Sequence, residues 1–269
     1  MNWIQGDKFI TIADFTFSPL QHAKDDYGGL VNTLDLHNVK NGDVIYTHTM
    51  YVEELFEILK GISESVIVVS HNSDINVGDS FVIPDSVSKW FTQNVNCINA
   101  KIESIPIGLE NDRWFKKERK REQMMLRLTQ PRQNQNLVYM NHNIATNTEK
   151  RQNLYTLFEN KSWVTAEHGH NGQNFRAYLN NISNHKFVIC PEGNGMDTHR
   201  TWECLYMNTI PIEKRNINNQ YYTDLPICFV DDWEEITEDY LNRWMIGSSW
   251  QDWNMNKLDF EYWKNKIKE

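Results

Sequence analysis

Short apolar runs alternate with stretches of helical periodicity through the first hundred residues. Residues 9–13 (FITIA) and 44–46 (VIY) read as strands, and Val52–Leu59 as a helix in which Leu55, Phe56 and Leu59 recur at helical spacing. SVIVVSHNSD (65–74) is a β-branched run that ends in polar residues, the pattern of a buried parallel strand. SVSKWFTQN (86–94) reads as helical, and residues 102–107 as another strand. The alternation recurs after residue 135. Strands are expected at 136–140, 163–166, 186–190, 209–212 and 226–230, with helices at 148–158, 174–182 and 197–207. The Trp-rich stretch 244–263 is expected to be helical.

Strands that alternate with helices predict parallel sheets flanked by helices, so the fold class is α/β with two Rossmann-like, doubly wound domains. Between the halves, 110–135 turns basic and polar and lacks strand formers. The expected division is a domain over 1–115, a linker over 116–135, a second domain over 136–243 and a tail over 244–269. The tail is a candidate to pack back on the first domain.

Composition narrows the function. Hydrophobic content of 40% with 12% aromatic residues fits a folded chain rather than a disordered one. A net charge of −9 argues against a nucleic-acid partner, because neutralising phosphates needs an excess of Lys and Arg. Cys97, Cys190, Cys204 and Cys228 form no CxxC pattern and read as buried thiols in a reducing compartment. No apolar run approaches the length of a membrane span, and no signal-peptide pattern opens the chain. A soluble, cytoplasmic protein is expected.

The segment with most chemistry is CPEGNGMDTHRTWE (190–203), between a strand and a helix. Ligands of open α/β sheets bind beyond the carboxyl ends of strands, and here that place holds Pro191, Glu192, Gly193, Asn194 and Gly195. The glycines allow close backbone approach, and a following helix offers free N–H groups. With a helix from Asp197, His199, Arg200 and Glu203 follow within its first two turns. Arg200 and Glu203 share one face, where Arg can clamp a diphosphate and Glu can accept ribose hydroxyls. The bland alternative is a capped helix after a glycine turn, with Asp197 as the cap and Arg200 paired to an acid.

CPEGNGMDTHRTWECLYMNTIPI together with LPICFVDDWEEIT resembles the signature of exostosin-type, inverting GT-B glycosyltransferases, in a short soluble bacterial or viral form. The upstream YMNHNIATNTEKRQNL resembles the loop and helix that open the donor domain of related short enzymes. The likeness covers residues 137–241.

The resemblance implies two domains facing a central cleft, the first binding acceptor and the second binding donor. It implies transfer of a sugar, with inversion, from a nucleoside diphosphate sugar (UDP foremost) to a hydroxyl of a glycan acceptor. Arg200 would neutralise the diphosphate and Glu203 hold the ribose, with Arg151 as a second diphosphate ligand. Asn141, His142 and Asn143 would line the cleft. Glu192 stands where the family commonly has a basic residue, and Asn208 where it often has Gly.

No cofactor and no metal is expected, and the chain contains no Asp-x-Asp. His168 and His170 are a spare pair without a Cys or Asp partner nearby. Inverting transfer needs a base to take the acceptor proton. Asp74 and then His71, which end the third apolar run, are the first choices for that role, with Asp14 and Glu110 behind them.

Two other readings stand beside this one. The first is a non-catalytic nucleotide- or glycan-binding module of the same fold. The second is a nicotinamide-dependent oxidoreductase, which the missing GxGxxG disfavours.

Overall fold

The two halves of the alternation each form a five-stranded, all-parallel sheet in the computed structural model. The structure describes residues 2–19, 30–115, 119–132, 135–168, 174–248 and 252–269. Unit 1 comprises Met1–Asp112, Gly195–Asp197 and Asp259–Glu269, and unit 2 comprises Arg113–Asn194 and Thr198–Leu258. No helix among the described residues is long and apolar enough to cross a membrane.

In unit 1, β1 (Phe15–Phe17), β2 (Val44–His48), β3 (Val66–His71), β4 (Val87–Thr92) and β5 (Ile102–Ser104) lie side by side in chain order. The helix α1 (Val52–Leu59) connects β2 to β3 and buries Val52, Leu55, Phe56 and Leu59, a stripe at helical spacing. The C-terminal helix Phe260–Lys268 also belongs to this unit, the Phe260 N–H donating to the Asn2 carbonyl at 2.9 Å.

Two elements of unit 1 differ from the sequence expectation. FITIA lies in a 3-10 helix, Gly6–Ile12, and not in a strand. Its buried residues are Gly6, Phe9 and Ile12, which recur every third position, the repeat of a 3-10 turn. Phe9 stacks on the His71 ring with centroids 5.2 Å apart. Residues 87–92 form strand β4 and not a helix. Held between β3 and β5, this strand buries Trp90, Phe91 and Thr92 in succession, so it shows no alternation. The Trp90 indole N–H donates to Ser70 Oγ at 2.9 Å.

Unit 2 opens within a short helix α2 (Asp112–Phe115) and continues with α3 (Lys120–Leu128), which lies within the stretch expected to be linker. Then come β6 (Asn136–Met140), α4 (Thr148–Phe158), β7 (Val164–Ala166), α5 (Phe175–Asn184), β8 (His185–Ile189), α6 (His199–Tyr206), β9 (Ile210–Lys214), β10 (Cys228–Val230) and α7 (Glu238–Gly247). The stretch 244–263 is broken. It holds the end of α7, a 3-10 turn Met255–Leu258 and the start of the C-terminal helix.

The sheet of unit 2 runs β10-β9-β8-β6-β7. The chain therefore places β7 on one side of β6 and β8 on the other. This is the reversal of a doubly wound sheet, and it falls between β6 and β8. Val138, Met140, Phe187, Ile189, Ile212, Cys228 and Val230 form the core beneath it, with Leu154, Tyr155 and Phe158 of α4 packed on them.

Candidate functional site

At such a reversal the loops leaving the two central strands diverge, and ligands of open α/β sheets bind between them. Here those loops are 141–147 after β6 and 190–198 after β8. A strap ties them together. Arg151, on α4 and 9% exposed, donates through Nε to the Glu192 carbonyl at 2.7 Å and through Nη1 to the Asn143 carbonyl at 3.0 Å. Its Nη2 lies 3.5 Å from the Pro191 carbonyl. Asn147 adds a second tie. Its Oδ1 accepts the Lys150 N–H and caps α4, while its Nδ2 donates to the Gly193 carbonyl at 2.7 Å. Three of the five N–H groups of Arg151 are thus directed at carbonyls, a positioning role beside the diphosphate role expected of it.

Helix α6 begins at His199, two residues after the expected start, and Thr198 holds the cap position. Arg200 is partly buried, and its Nη1 is fully enclosed with no hydrogen-bond partner among the described residues. The guanidinium lies over the Tyr178 ring of α5, 5.3 Å from its centroid. One turn on, the Glu203 carboxylate is 7% exposed and accepts the Tyr178 hydroxyl at 2.7 Å. Arg200, Glu203 and Tyr178 therefore form one cluster. Burial works against the Arg200 charge, while Tyr178, Cys190 and Glu203 favour it, and the net direction is upward. Burial also pushes the Tyr178 hydroxyl well up, so it stays protonated and donates.

His142 follows β6 and is 1% exposed. Its Nε2 meets the Arg151 carbonyl at 3.3 Å, while its Nδ1 is buried without a partner. Burial, then the Arg200 charge, lowers its pKa to about 3. A neutral ring with Nε2–H donating leaves Nδ1 as an open acceptor. Burial and the Arg200 charge also lower the Arg151 pKa, to about 10. These are the marks of cations held together out of water, a setting that favours an anion.

The remaining expected site residues are placed as follows. The Glu192 carboxylate accepts Asn216 Nδ2 at 2.9 Å and has Lys150 at 3.8 Å, so its charge is countered locally. Asn194 is exposed, and His199 is partly buried at the start of α6. Asn141 Nδ2 lies 3.5 Å from the Glu167 carboxylate, and Asn143 Oδ1 caps a turn through the Ala145 N–H.

Gly195 and Asp197 belong to unit 1. There the Asp197 N–H donates to Asn94 Oδ1 at 3.0 Å and its carboxylate accepts the Ile107 N–H at 2.7 Å. Asp197 is therefore not the cap of α6. A side chain at Gly195 would place Cβ 2.6 Å from Asn94 Nδ2, so this loop position needs glycine.

In unit 1 the two expected bases differ. His71 is buried, its Nε2 3.1 Å from the Pro106 carbonyl and its Nδ1 accepting the Asn72 N–H at 2.7 Å. Both ring nitrogens are thereby engaged inside the unit. Asp74 lies past the strand and is exposed. The Asp14 carboxylate accepts the Val44 N–H at 2.9 Å, and the Glu110 carbonyl accepts Gln5 Nε2 at 2.7 Å.

His168 stacks on Tyr155 and pairs with Glu159 at 3.3 Å, while His170 lies outside the described residues. Among the described residues, no three His, Cys, Asp or Glu side chains gather as metal ligands do.

Sequence reasoning missed Tyr178, Asn147 and Glu167. Glu167 gathers the Tyr139 hydroxyl at 2.6 Å and Asn181 Nδ2 at 3.1 Å. Each acts across elements, so no local spacing announces it. Neither a family model nor a curated protein matches the chain.

Proposed function

We propose that the protein is an inverting GT-B glycosyltransferase of exostosin type that transfers a sugar from a nucleoside diphosphate sugar, UDP-linked foremost, to a glycan hydroxyl. One observation carries the reading: the buried, unpartnered Nη1 of Arg200, placed just past the reversal of the unit 2 sheet, with Glu203 one turn further along α6. An unsatisfied buried cationic donor is costly in the free protein, and a diphosphate oxygen satisfies it with a charge-assisted hydrogen bond. The open Nδ1 of His142 is a natural acceptor for a hydroxyl of the same ligand. Glu203, already accepting from Tyr178, has further lone pairs for the ribose hydroxyls.

The proton acceptor of the reaction is assigned to Asp74, the exposed member of the expected pair. Asp74 is preferred over His71 because both His71 ring nitrogens are engaged.

Calorimetry with UDP and GDP, with and without Arg200→Ala, tests the donor half. Binding lost with the variant supports the reading, and unchanged affinity overturns it. Release of free nucleotide from UDP-sugars in the presence of glycan acceptors tests the catalytic half. Turnover that survives Asp74→Asn moves the base elsewhere. Binding without any release leaves a nucleotide-binding module.

A further inference from the structure

A cavity lies on the far side of α5 from Tyr178. Its volume is about 420 Å³, within the range of small-molecule sites, and it is a half-open cleft between α3 and α5 inside unit 2. From the α3 side come Gln123, Arg127 and Gln130, and from the α5 side Asn174, Arg176 and Asn180. At 100° per residue, Arg176, Leu179 and Asn180 fall opposite Tyr178 and Asn181 on α5, so this cavity is separate from the Arg200 cluster.

Arg127 is the unexpected residue. Met124 and Arg127, three apart, are the buried positions of α3, and such a face ordinarily carries two aliphatic side chains. Here one of the two is a guanidinium, 7% exposed, with Nε buried and without a hydrogen-bond partner among the described residues. Its Nη1 reaches the Gln130 and Pro131 carbonyls, each at 3.4 Å.

Arg176 is exposed on the opposite wall. Among the described residues, no carboxylate lies within ion-pair distance of Arg127 or Arg176. A third cation, Arg132, is near enough for the Arg127 charge to add to the effect of its own burial in lowering its pKa. Two guanidiniums offer planar donor pairs that match an oxyanion. Four carboxamides offer both donors and acceptors, the complement of sugar hydroxyls. Leu179, 1% exposed, gives an apolar base for a ring face.

We propose that the α3–α5 cavity is a second ligand site, which takes a small hydroxylated anion: a sugar carrying a phosphate or a carboxylate. The proposal does not depend on the nucleotide-sugar reading of the Arg200 cluster.

The test is calorimetry or ligand-observed NMR on the full chain with glucose 6-phosphate, glucuronate, glucose and inorganic phosphate in parallel. Glucose 6-phosphate or glucuronate should bind, whichever it is naming the anion, and glucose should bind far more weakly. Arg176→Gln, an exposed change that leaves packing alone, should weaken that binding about tenfold or more. Arg127→Met keeps the length of the side chain without the charge, and should abolish binding while the protein melts no lower. UDP affinity should be the same in both variants as in the unaltered chain. Three results overturn the proposal: no binding of either sugar acid at millimolar concentration, binding unaffected by Arg176→Gln, or inorganic phosphate binding as tightly as the sugar phosphate.

Discussion

In unit 1 the strands lie side by side in the order they are made, whereas in unit 2 the chain sets β7 on one side of β6 and then crosses to set β8 on the other. The polar residues at the strand ends follow the same division. In unit 1 several of them bond one another. Thr49 donates to Ser70 and Ser70 to Thr92, while Asn72 donates to Asp7 and accepts from Asn111. In unit 2, His142 Nδ1 and Arg200 Nη1, on the two sides of the reversal, are buried without a hydrogen-bond partner among the described residues. A sequential sheet has no divergence between central loops, so its ends can knit shut. A reversing sheet splays two loops apart and leaves polar atoms facing a gap. The reversal of unit 2 thus leaves hydrogen-bonding capacity available to a ligand.

The comparison can be broken at several points. The largest effect is expected in the closed sheet. Trp90→Ala removes a fully buried indole and its bond to Ser70, and should cost about 3–5 kcal/mol. Denaturant melts should show the loss, and hydrogen exchange should place it in β2–β5. Protection lost equally in β6–β10 would mean that the two sheets do not differ in this way.

Next comes the open sheet. Arg200→Met should reduce nucleoside diphosphate affinity by about 1.5–3 kcal/mol, the worth of a charged hydrogen bond. A large fall in melting temperature would show that the guanidinium is structural.

Gly195→Ala is a smaller change, in the segment that belongs to unit 1. The new Cβ meets the Asn94 side chain, which already accepts the Asp197 N–H, and should cost about 1–3 kcal/mol by overpacking. Equal stability of the variant and the parent in urea would show that Asn94 yields freely.

A pH dependence is the fourth effect, small within any one pH unit. His142 has a folded pKa near 3 against an ordinary 6.5, so between those values the folded state holds fewer protons than the unfolded one. The stabilisation is whole above pH 6.5 and drains as pH falls toward 3, at up to about 1.4 kcal/mol per unit. Replacing His142 with Gln should flatten this part of the stability curve. A curve of unchanged slope would remove His142 from the open cluster.

Unit 2 was the more readable half for a physical reason. Its strands and helices carry single, well-separated apolar stripes, as in Asn136–Met140 and Thr148–Phe158, where sequence and structure agree to the residue. Unit 1 hides two elements. Phe9 and Ile12 keep a period of three that a five-residue apolar run does not reveal, and Trp90 to Thr92 are buried without alternation. Within the site, the Arg200–Glu203 spacing was visible because both lie on one helix. Tyr178, which joins them, comes from α5 more than twenty residues earlier, and nothing local marks it. His71 looked like a base because it ends a strand. Its Pro106 partner, 35 positions along the chain, is what closes it.

The Arg151 strap has a consequence for how quickly a ligand can be captured. Because one guanidinium already holds the Asn143, Pro191 and Glu192 carbonyls, the two loops at the reversal are set in place by folding itself. A ligand that arrives there has little backbone to order, so its encounter resembles collision with a rigid surface more than the closing of a hand. Capture should then be a single step whose rate rises in proportion to ligand concentration, with residence time, not loop rearrangement, setting how tightly different ligands are held.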